Sequence, residues 1–289
     1  MLTFIPFKSR EFIFIISLCS ERSKTKRYRS QLQTKVNENY NYIEYTIHGK
    51  RHRDDLDEKR RVLPAVICHD GSQYWYKNGI ICRDDLDEKG RVLPARIFSN
   101  GDKHWFKNGY LHRDDLDENG RVLPAICNSD GSQSWYKNGL LHRDDRDENG
   151  KTLPAIIFND GSQFWYKNGK YHRDDKDENG RVLPAIIYSN GAKEWWTNDR
   201  RRRVDLDEKG RILPAIIRGD GTQFWYKDNE CHRDERDENG KTLPAAIRNN
   251  GDQDWYKNGL RHRDDKDENG RVLPACVYSC LLYTSPSPR

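Results

Sequence analysis

The sequence predicts an all-β protein, an elongated, β-solenoid-like repeat array of consecutive β-hairpins that forms a twisted single sheet. A thirty-residue pattern recurs from residue 41 onward and places seven of the eight tryptophans at equal spacing. Each copy carries Asp-Gly or Asn-Gly pairs, whose backbone preferences match the twist of hairpin strands. Only 34% of the 289 residues are apolar, which is too few for one deep core, whereas 11% aromatic residues are too many for a chain that buries nothing.

The repeat divides the chain into three segments. Residues 41–279 hold eight units of thirty residues, counting a degenerate first half at residues 41–50. Residues 1–40 are expected to be a basic, disordered segment, and residues 280–289 break the repeat in mid-unit. Two columns define the units, one of tryptophan and one of proline: Trp75, Trp105, Trp135, Trp165, Trp195, Trp225 and Trp255, and Pro64, Pro94, Pro124, Pro154, Pro184, Pro214, Pro244 and Pro274.

Each unit is predicted to contain two short strands and a long polar connector, as at residues 182–188, residues 163–167 and the turn Asp-Glu-Asn-Gly before residue 181. In the first strand the columns of Leu183, Ala185 and Ile187 stay apolar in every copy, while the columns between them vary. Such alternation is typical of a half-buried strand. The core is therefore Trp, Leu, Ala and Ile, one layer deep, and pairing should begin just after Pro184. No stretch has helical periodicity.

The residues of one unit resemble a known repeat family. The string Trp135-Tyr-Lys-Asn-Gly-Leu-Leu-His-Arg-Asp-Asp145, continued by Leu153-Pro-Ala-Ile-Ile-Phe-Asn-Asp-Gly161, is similar to the MORN-like repeats of proteins from giant viruses of amoebae and to the YwqK-type bacterial variants. The resemblance covers about residues 43–279. It implies hairpins in an elongated single sheet and a scaffold or interaction role, with phosphoinositide binding or self-association, and no catalytic residue. The connector is longer here than in that family, which leaves room for a third small hairpin.

The two ends lie outside the repeat and carry separate expectations. Residues 1–40 contain eight basic and three acidic side chains, so the remaining chain is electrically neutral, which argues against a nucleic-acid-binding surface. The apolar run at residues 12–19 is too short to cross a membrane. Whether the first twenty residues are a signal or follow a misassigned start stays open. Residues 280–289 resemble a translated sequencing adapter.

A calcium site competes with a plain turn in the connector. Oxygen ligands at alternate positions followed by Gly resemble the start of an EF-hand loop. A lysine among the ligand positions of three units, such as Lys59, and Ile126 at the twelfth position favour the turn, so no metal or cofactor is predicted. The residues that keep the calcium alternative open are Asp115, Asp117, Asn119, Asp175, Asp177 and Asn179.

Two further features are candidate binding residues. The aromatic column beside the tryptophans should face the opposite side of the sheet, either packed against the prolines or the connector, or exposed for stacking; its candidates are Tyr136, Tyr166, Tyr226 and Tyr256. Four consecutive arginines, Arg200, Arg201, Arg202 and Arg203, are candidates for a phosphate or an acidic partner.

The remaining polar columns suggest structural roles. The column containing His142 and His172 would form a ladder that either binds a metal or responds to pH, or simply flanks a turn. The charged connector residues are expected to form weak surface pairs. A His-Arg-Asp motif like that of the kinase catalytic loop recurs in five units without the other kinase motifs. A single active site needs its nucleophile, acid–base pair or cofactor loop once, and no such unrepeated set is present, so no enzyme is predicted.

These observations favour a non-catalytic scaffold or protein-interaction surface with an unidentified protein partner. Self-association through an exposed terminal strand is a further expectation. The alternatives are a peripheral protein that binds anionic lipid through the basic segments, and a calcium-structured repeat. Seven cysteines without a framework spacing point to a reducing, cytoplasmic compartment.

Overall fold

The computed structural model of the chain describes residues 32–37 and 41–279. Most of the predicted basic segment at 1–40, including the apolar run, and the whole adapter-like segment at 280–289 lie outside the described residues. The described residues contain only strands, isolated bridges and turns, which confirms the all-β prediction. None of them belongs to a helix of the length and apolarity that a membrane span needs.

One long antiparallel sheet of 18 strands runs through the array. It starts with Leu32–Asn37, Tyr42–Ile47 and Lys50–Arg51, and every later unit adds one hairpin closed by an Asp-Gly or Asn-Gly turn. The two strands of each later hairpin are, in chain order, Val66–Cys68 with Gln73–Tyr74, Arg96–Ile97 with Lys103–His104, Ile126–Cys127 with Gln133–Ser134, Ile156–Ile157 with Gln163–Phe164, Ile186–Ile187 with Lys193–Glu194, Ile216–Ile217 with Gln223–Phe224, and Ala246–Ile247 with Gln253–Asp254, followed by the single strand Cys276–Val277.

A second, smaller hairpin follows in each unit, and we call it the Asn-Gly hairpin. In most units its two turn residues are Asn and Gly, and both have positive φ, as at Asn168 (52°) and Gly169 (80°). That geometry suits the right-handed twist of the flanking strands. The Asn-Gly hairpins are Tyr76–Lys77 with Ile80–Ile81, Phe106–Lys107 with Tyr110–Leu111, Tyr136–Lys137 with Leu140–Leu141, Tyr166–Lys167 with Lys170–Tyr171, Trp196–Thr197 with Arg200–Arg201, Tyr226–Lys227 with Glu230–Cys231, and Tyr256–Lys257 with Leu260–Arg261.

The connector is itself a third, minimal hairpin. A single bridge closes it in every unit, as between Lys176 and Val182, around the Asp-Glu-Asn-Gly turn. The unit therefore has more elements than the two strands predicted from sequence. The predicted strand at residues 163–167 is divided at Trp165, whose N–H donates to Ala185 O at 2.8 Å while its carbonyl accepts from His172 N at 3.1 Å. The segment before Trp165 therefore pairs within the long sheet, and the segment after it pairs within the Asn-Gly hairpin.

The core is a thin column of tryptophan and alanine. The seven equally spaced tryptophans, from Trp75 to Trp255, are 4–7% exposed, and the column containing Ala185 is buried in almost every unit. The predicted Leu and Ile columns, represented by Leu183 and Ile187, are only half-buried, because a single layer leaves their outer sides uncovered. Pairing begins at Ala185, directly after the proline, since the Ala185 N–H donates to Glu194 O at 2.9 Å.

Candidate functional site

A buried arginine lies on the tryptophan of each unit. The Arg173 guanidinium carbon lies 3.9 Å from the Trp165 ring centre, Nε donates to Asp175 at 3.0 Å and Nη1 donates to Pro184 O at 3.2 Å. Burial lowers the pKa of Arg173, and the Asp175 carboxylate opposes that shift. The first unit has Arg53 over Tyr45 instead, at 3.8 Å. The expectation of weak surface pairs is thus wrong for this pair, because the ring and the connector exclude water from it.

The same carboxylate joins neighbouring units. Asp175 accepts from the Thr152 backbone N at 3.0 Å and from Thr152 Oγ1 at 3.1 Å, twenty-three residues earlier. The tryptophan also reaches back, because Trp165 Nε1 donates to Thr152 O at 2.7 Å. Each connector is therefore held by the Asp and the Trp of the next unit.

The histidine column forms a second set of bonds between units. His142 Nδ1 accepts from the Asn168 backbone N at 3.0 Å, while Nε2 lies 2.7 Å from Asp144. An imidazole that accepts at Nδ1 carries its proton on Nε2, so the N–H of the ring faces the carboxylate side. The neutral ring therefore bridges two consecutive Asn-Gly hairpins. The histidines that bond the next unit in this way are His52, His112, His142, His172 and His232.

The calcium candidates lie in the connector hairpin, where the carboxylate oxygens of the aspartates accept hydrogen bonds. Asp117 Oδ1 accepts from the backbone N of Asn119 at 2.8 Å and of Arg121 at 2.9 Å, and these bonds lower the pKa of Asp117. The corresponding bonds of Asp177 involve Asn179 and Arg181. Asp115, like Asp175, accepts from the arginine of its own unit and from the preceding connector. In residues 32–37 and 41–279 no three His, Cys, Asp or Glu side chains are grouped to hold a metal.

The candidate tyrosines lie in the first strands of the Asn-Gly hairpins, one residue after each tryptophan. They are half-buried and contact neighbouring side chains. Tyr166 lies 4.3 Å from Tyr171, whose ring is 5.3 Å from Trp196. Tyr136 and Tyr256 sit opposite Leu141 and Arg261 across their hairpins, and burial raises the pKa of Tyr136. The column packs along the array on its own neighbours.

The four arginines separate into two pairs with different roles. Arg203 is the buried arginine over Trp195, and Arg201 stacks between Trp196 and Tyr226 at 4.5 and 4.8 Å. Arg200 and Arg202 are exposed and lie 3.7 and 4.0 Å from Asp228. The run therefore does not present four free cations.

Sequence reasoning missed an exposed apolar stripe on the Asn-Gly hairpins. Ile80, Tyr110 and Leu140, at the same position of three consecutive units, are 50%, 61% and 50% exposed. Leucines at the connector bridge are also exposed, among them Leu86 and Leu116. The sequence did contain evidence for exposure at this position, because the column directly after Asn-Gly is apolar in these units and charged in the next three.

Comparison with known proteins adds no family. No protein-family model matches the chain, and no curated protein matches it significantly. The similarity to MORN-like repeats therefore depends on the repeat motif and on a compatible hairpin architecture.

Proposed function

We propose that this chain is a non-catalytic, MORN-like repeat scaffold that binds a protein partner through the apolar stripe of Ile80, Tyr110 and Leu140. The exposure of these three side chains in consecutive units is the observation that carries the proposal. Contiguous exposed apolar surface on a folded protein is typical of an interaction site. The proposal includes a cytoplasmic location, which the free cysteines of the array support.

The stripe is held in place by the hairpin stack. A Cβ added to Gly109 would lie 3.3 Å from Ile80 Cγ2, and one added to Gly139 would lie 3.2 Å from Tyr110 Cδ1. Each stripe residue therefore lies on the glycine of the next turn. An ordered apolar side chain loses little conformational entropy on binding, which favours affinity.

The charged side chains of the repeat support a non-catalytic role, because they already have structural partners. Arg173 and Asp175 hold the connector, and His172 bonds the next hairpin. The columns that vary between units do not make these contacts, so variation there changes the surface without changing the fold. The stripe is such a column.

Replacing the stripe tests the proposal. The variant Ile80→Lys, Tyr110→Lys, Leu140→Lys carries the residue that the same column already has at Lys50 and Lys170, so we expect it to fold. We expect wild type to capture a defined partner from its native source, identified by cross-linking, and the triple variant to lose it. Wild-type binding retained by the variant would contradict the proposal.

A matched control alters charge on the same column. The variant Lys170→Glu, Arg200→Glu, Glu230→Lys changes three exposed residues of the following units and should keep the partner. Sedimentation velocity on the same proteins reports self-association through the stripe. Co-sedimentation with anionic liposomes, with and without residues 1–40, tests the lipid alternative, for which we expect no binding in either form.

A further inference from the structure

The column of bridging histidines is interrupted at Cys82, where a cleft of about 530 Å³ opens between two Asn-Gly hairpins. Cys82, Asp84 and Asn108 line it. These are the counterparts of the histidine, the aspartate and the asparagine of the neighbouring junction, where His112 Nε2 lies 2.6 Å from Asp114 and Asn138 N donates to Nδ1 at 3.0 Å. The cleft thus includes the position that the imidazole ring takes at the neighbouring junction.

Both bonds that normally connect consecutive hairpins are missing at this junction. At the other junctions the second turn residue, usually glycine, donates to the preceding hairpin, as from Gly139 N to Leu111 O at 2.9 Å. Within residues 41–279, neither the Asn108 N–H nor the Gly109 N–H has such a bond to the unit of Cys82. At the other interruption the long Arg202 side chain extends to within 4.0 Å of Asp228. The small thiol leaves the space and the donor at Asn108 unmatched.

The charges around the cleft favour a ring that accepts on one side and donates on the other. Asp84 is held by Lys77 at 3.3 Å, just as Asp144 is held by Lys137 beside His142. A carboxylate ligand would satisfy the Asn108 N–H but would face the Asp84 carboxylate. Burial raises the pKa of the Cys82 thiol, so the thiol stays neutral.

We propose that the cleft at Cys82 is a binding site for an imidazole ring, which accepts from the Asn108 N–H and donates to Asp84. The ring comes either from a small molecule or from a histidine side chain of a partner protein. The five occupied junctions of the same chain define its geometry.

Thermal unfolding of the full chain with imidazole tests the site at about pH 8, where the free ring is neutral. We expect the wild type and Cys82→Ala to gain about 3 °C in Tm at about ten times Kd. Cys82→His should not respond, because its own side chain fills the cleft. The Asn108 amide resonance of the ¹⁵N-labelled wild type should shift during the titration.

Two probes refine the chemistry. Acetate, and 1-methylimidazole, which lacks the N–H donor, should bind at least tenfold more weakly than imidazole. N-acetylhistidine amide separates the sources, because its binding indicates a partner histidine, whereas binding of imidazole alone indicates a small molecule. The proposal is overturned if Cys82→His responds like the wild type, or if the Asn108 resonance does not move.

Discussion

Truncating Asp175 is the sharpest test of how the units are held together. Its carboxylate accepts from Arg173 in its own unit and from Thr152 in the preceding one, and the Arg173 and Asp175 side chains are only 8% and 6% exposed. Asp175→Ala leaves a buried guanidinium without its carboxylate and the Thr152 backbone N–H without its acceptor. Removing one partner of such a buried pair costs about 3–5 kcal/mol.

The neighbouring carboxylate is the matched control. Asp174 is 65% exposed and pairs with His172 and Lys167, so Asp174→Ala should cost about 0–1 kcal/mol. Asp175→Glu should also be mild, because Glu235 accepts from its own unit's arginine in the same column.

Hydrogen exchange of the Thr152 amide measures the effect at the affected junction, because repeat arrays are able to open unit by unit. We expect the free energy of opening at this amide to fall by about 3–5 kcal/mol in Asp175→Ala, with a parallel fall in the urea midpoint. The reasoning is refuted if Asp175→Ala loses no more than Asp174→Ala.

Two further predictions concern turns and acid. Gly169→Ala should lower the free energy of unfolding in urea by about 1–2 kcal/mol, and by more than Gly180→Ala does. Both glycines have positive φ, but only at Gly169 would the new Cβ meet a neighbour, Leu140 Cδ2 at 3.3 Å. Equal losses in the two variants would contradict this. Turn hydrogen bonds and ion pairs lower the pKa of Asp87 and Asp207 to about 2 in the folded chain, against about 3.9 in the unfolded chain. The two carboxylates therefore stabilise the fold fully above about pH 4, and this contribution disappears as the pH falls to about 2. Unfolding free energies measured across that range should decline, with a shallower slope in the double Asn variant, and a flat wild-type profile would disprove the assignment.

The local pattern of the sequence was sufficient to predict the hairpins but not the bonds between units. Positive φ at Asn168 and Gly169 confirms the predicted turn, and the buried column of Trp165 and Ala185 confirms the tryptophan and alanine part of the predicted core. Contacts such as that from Asp175 to Thr152 depend on how one unit lies against the next, which no periodicity within a unit encodes. The charged columns therefore looked like solvated surface when they are part of the packing.

The exposed stripe was missed for a related reason. Apolar residues in strands usually indicate burial, so Ile80, Tyr110 and Leu140 gave no warning of exposure. Their column lies directly after the turn of the Asn-Gly hairpins, where the side chains are half or more exposed. Only the placement of consecutive hairpins shows that these three side chains form one surface.

The fixed spacing of the bonds between units has a consequence for heredity. Each interaction of this kind joins residues of adjacent modules at a constant separation, twenty-three residues from Asp175 to Thr152 and twenty-six from Asn168 to His142. When a DNA tract that encodes one whole module is duplicated or lost, each residue that bonds the adjacent module still meets an equivalent bonding partner there. The gene is thus able to lengthen or shorten by modules without inventing a contact, whereas a change of any other length breaks the register at the point of recombination.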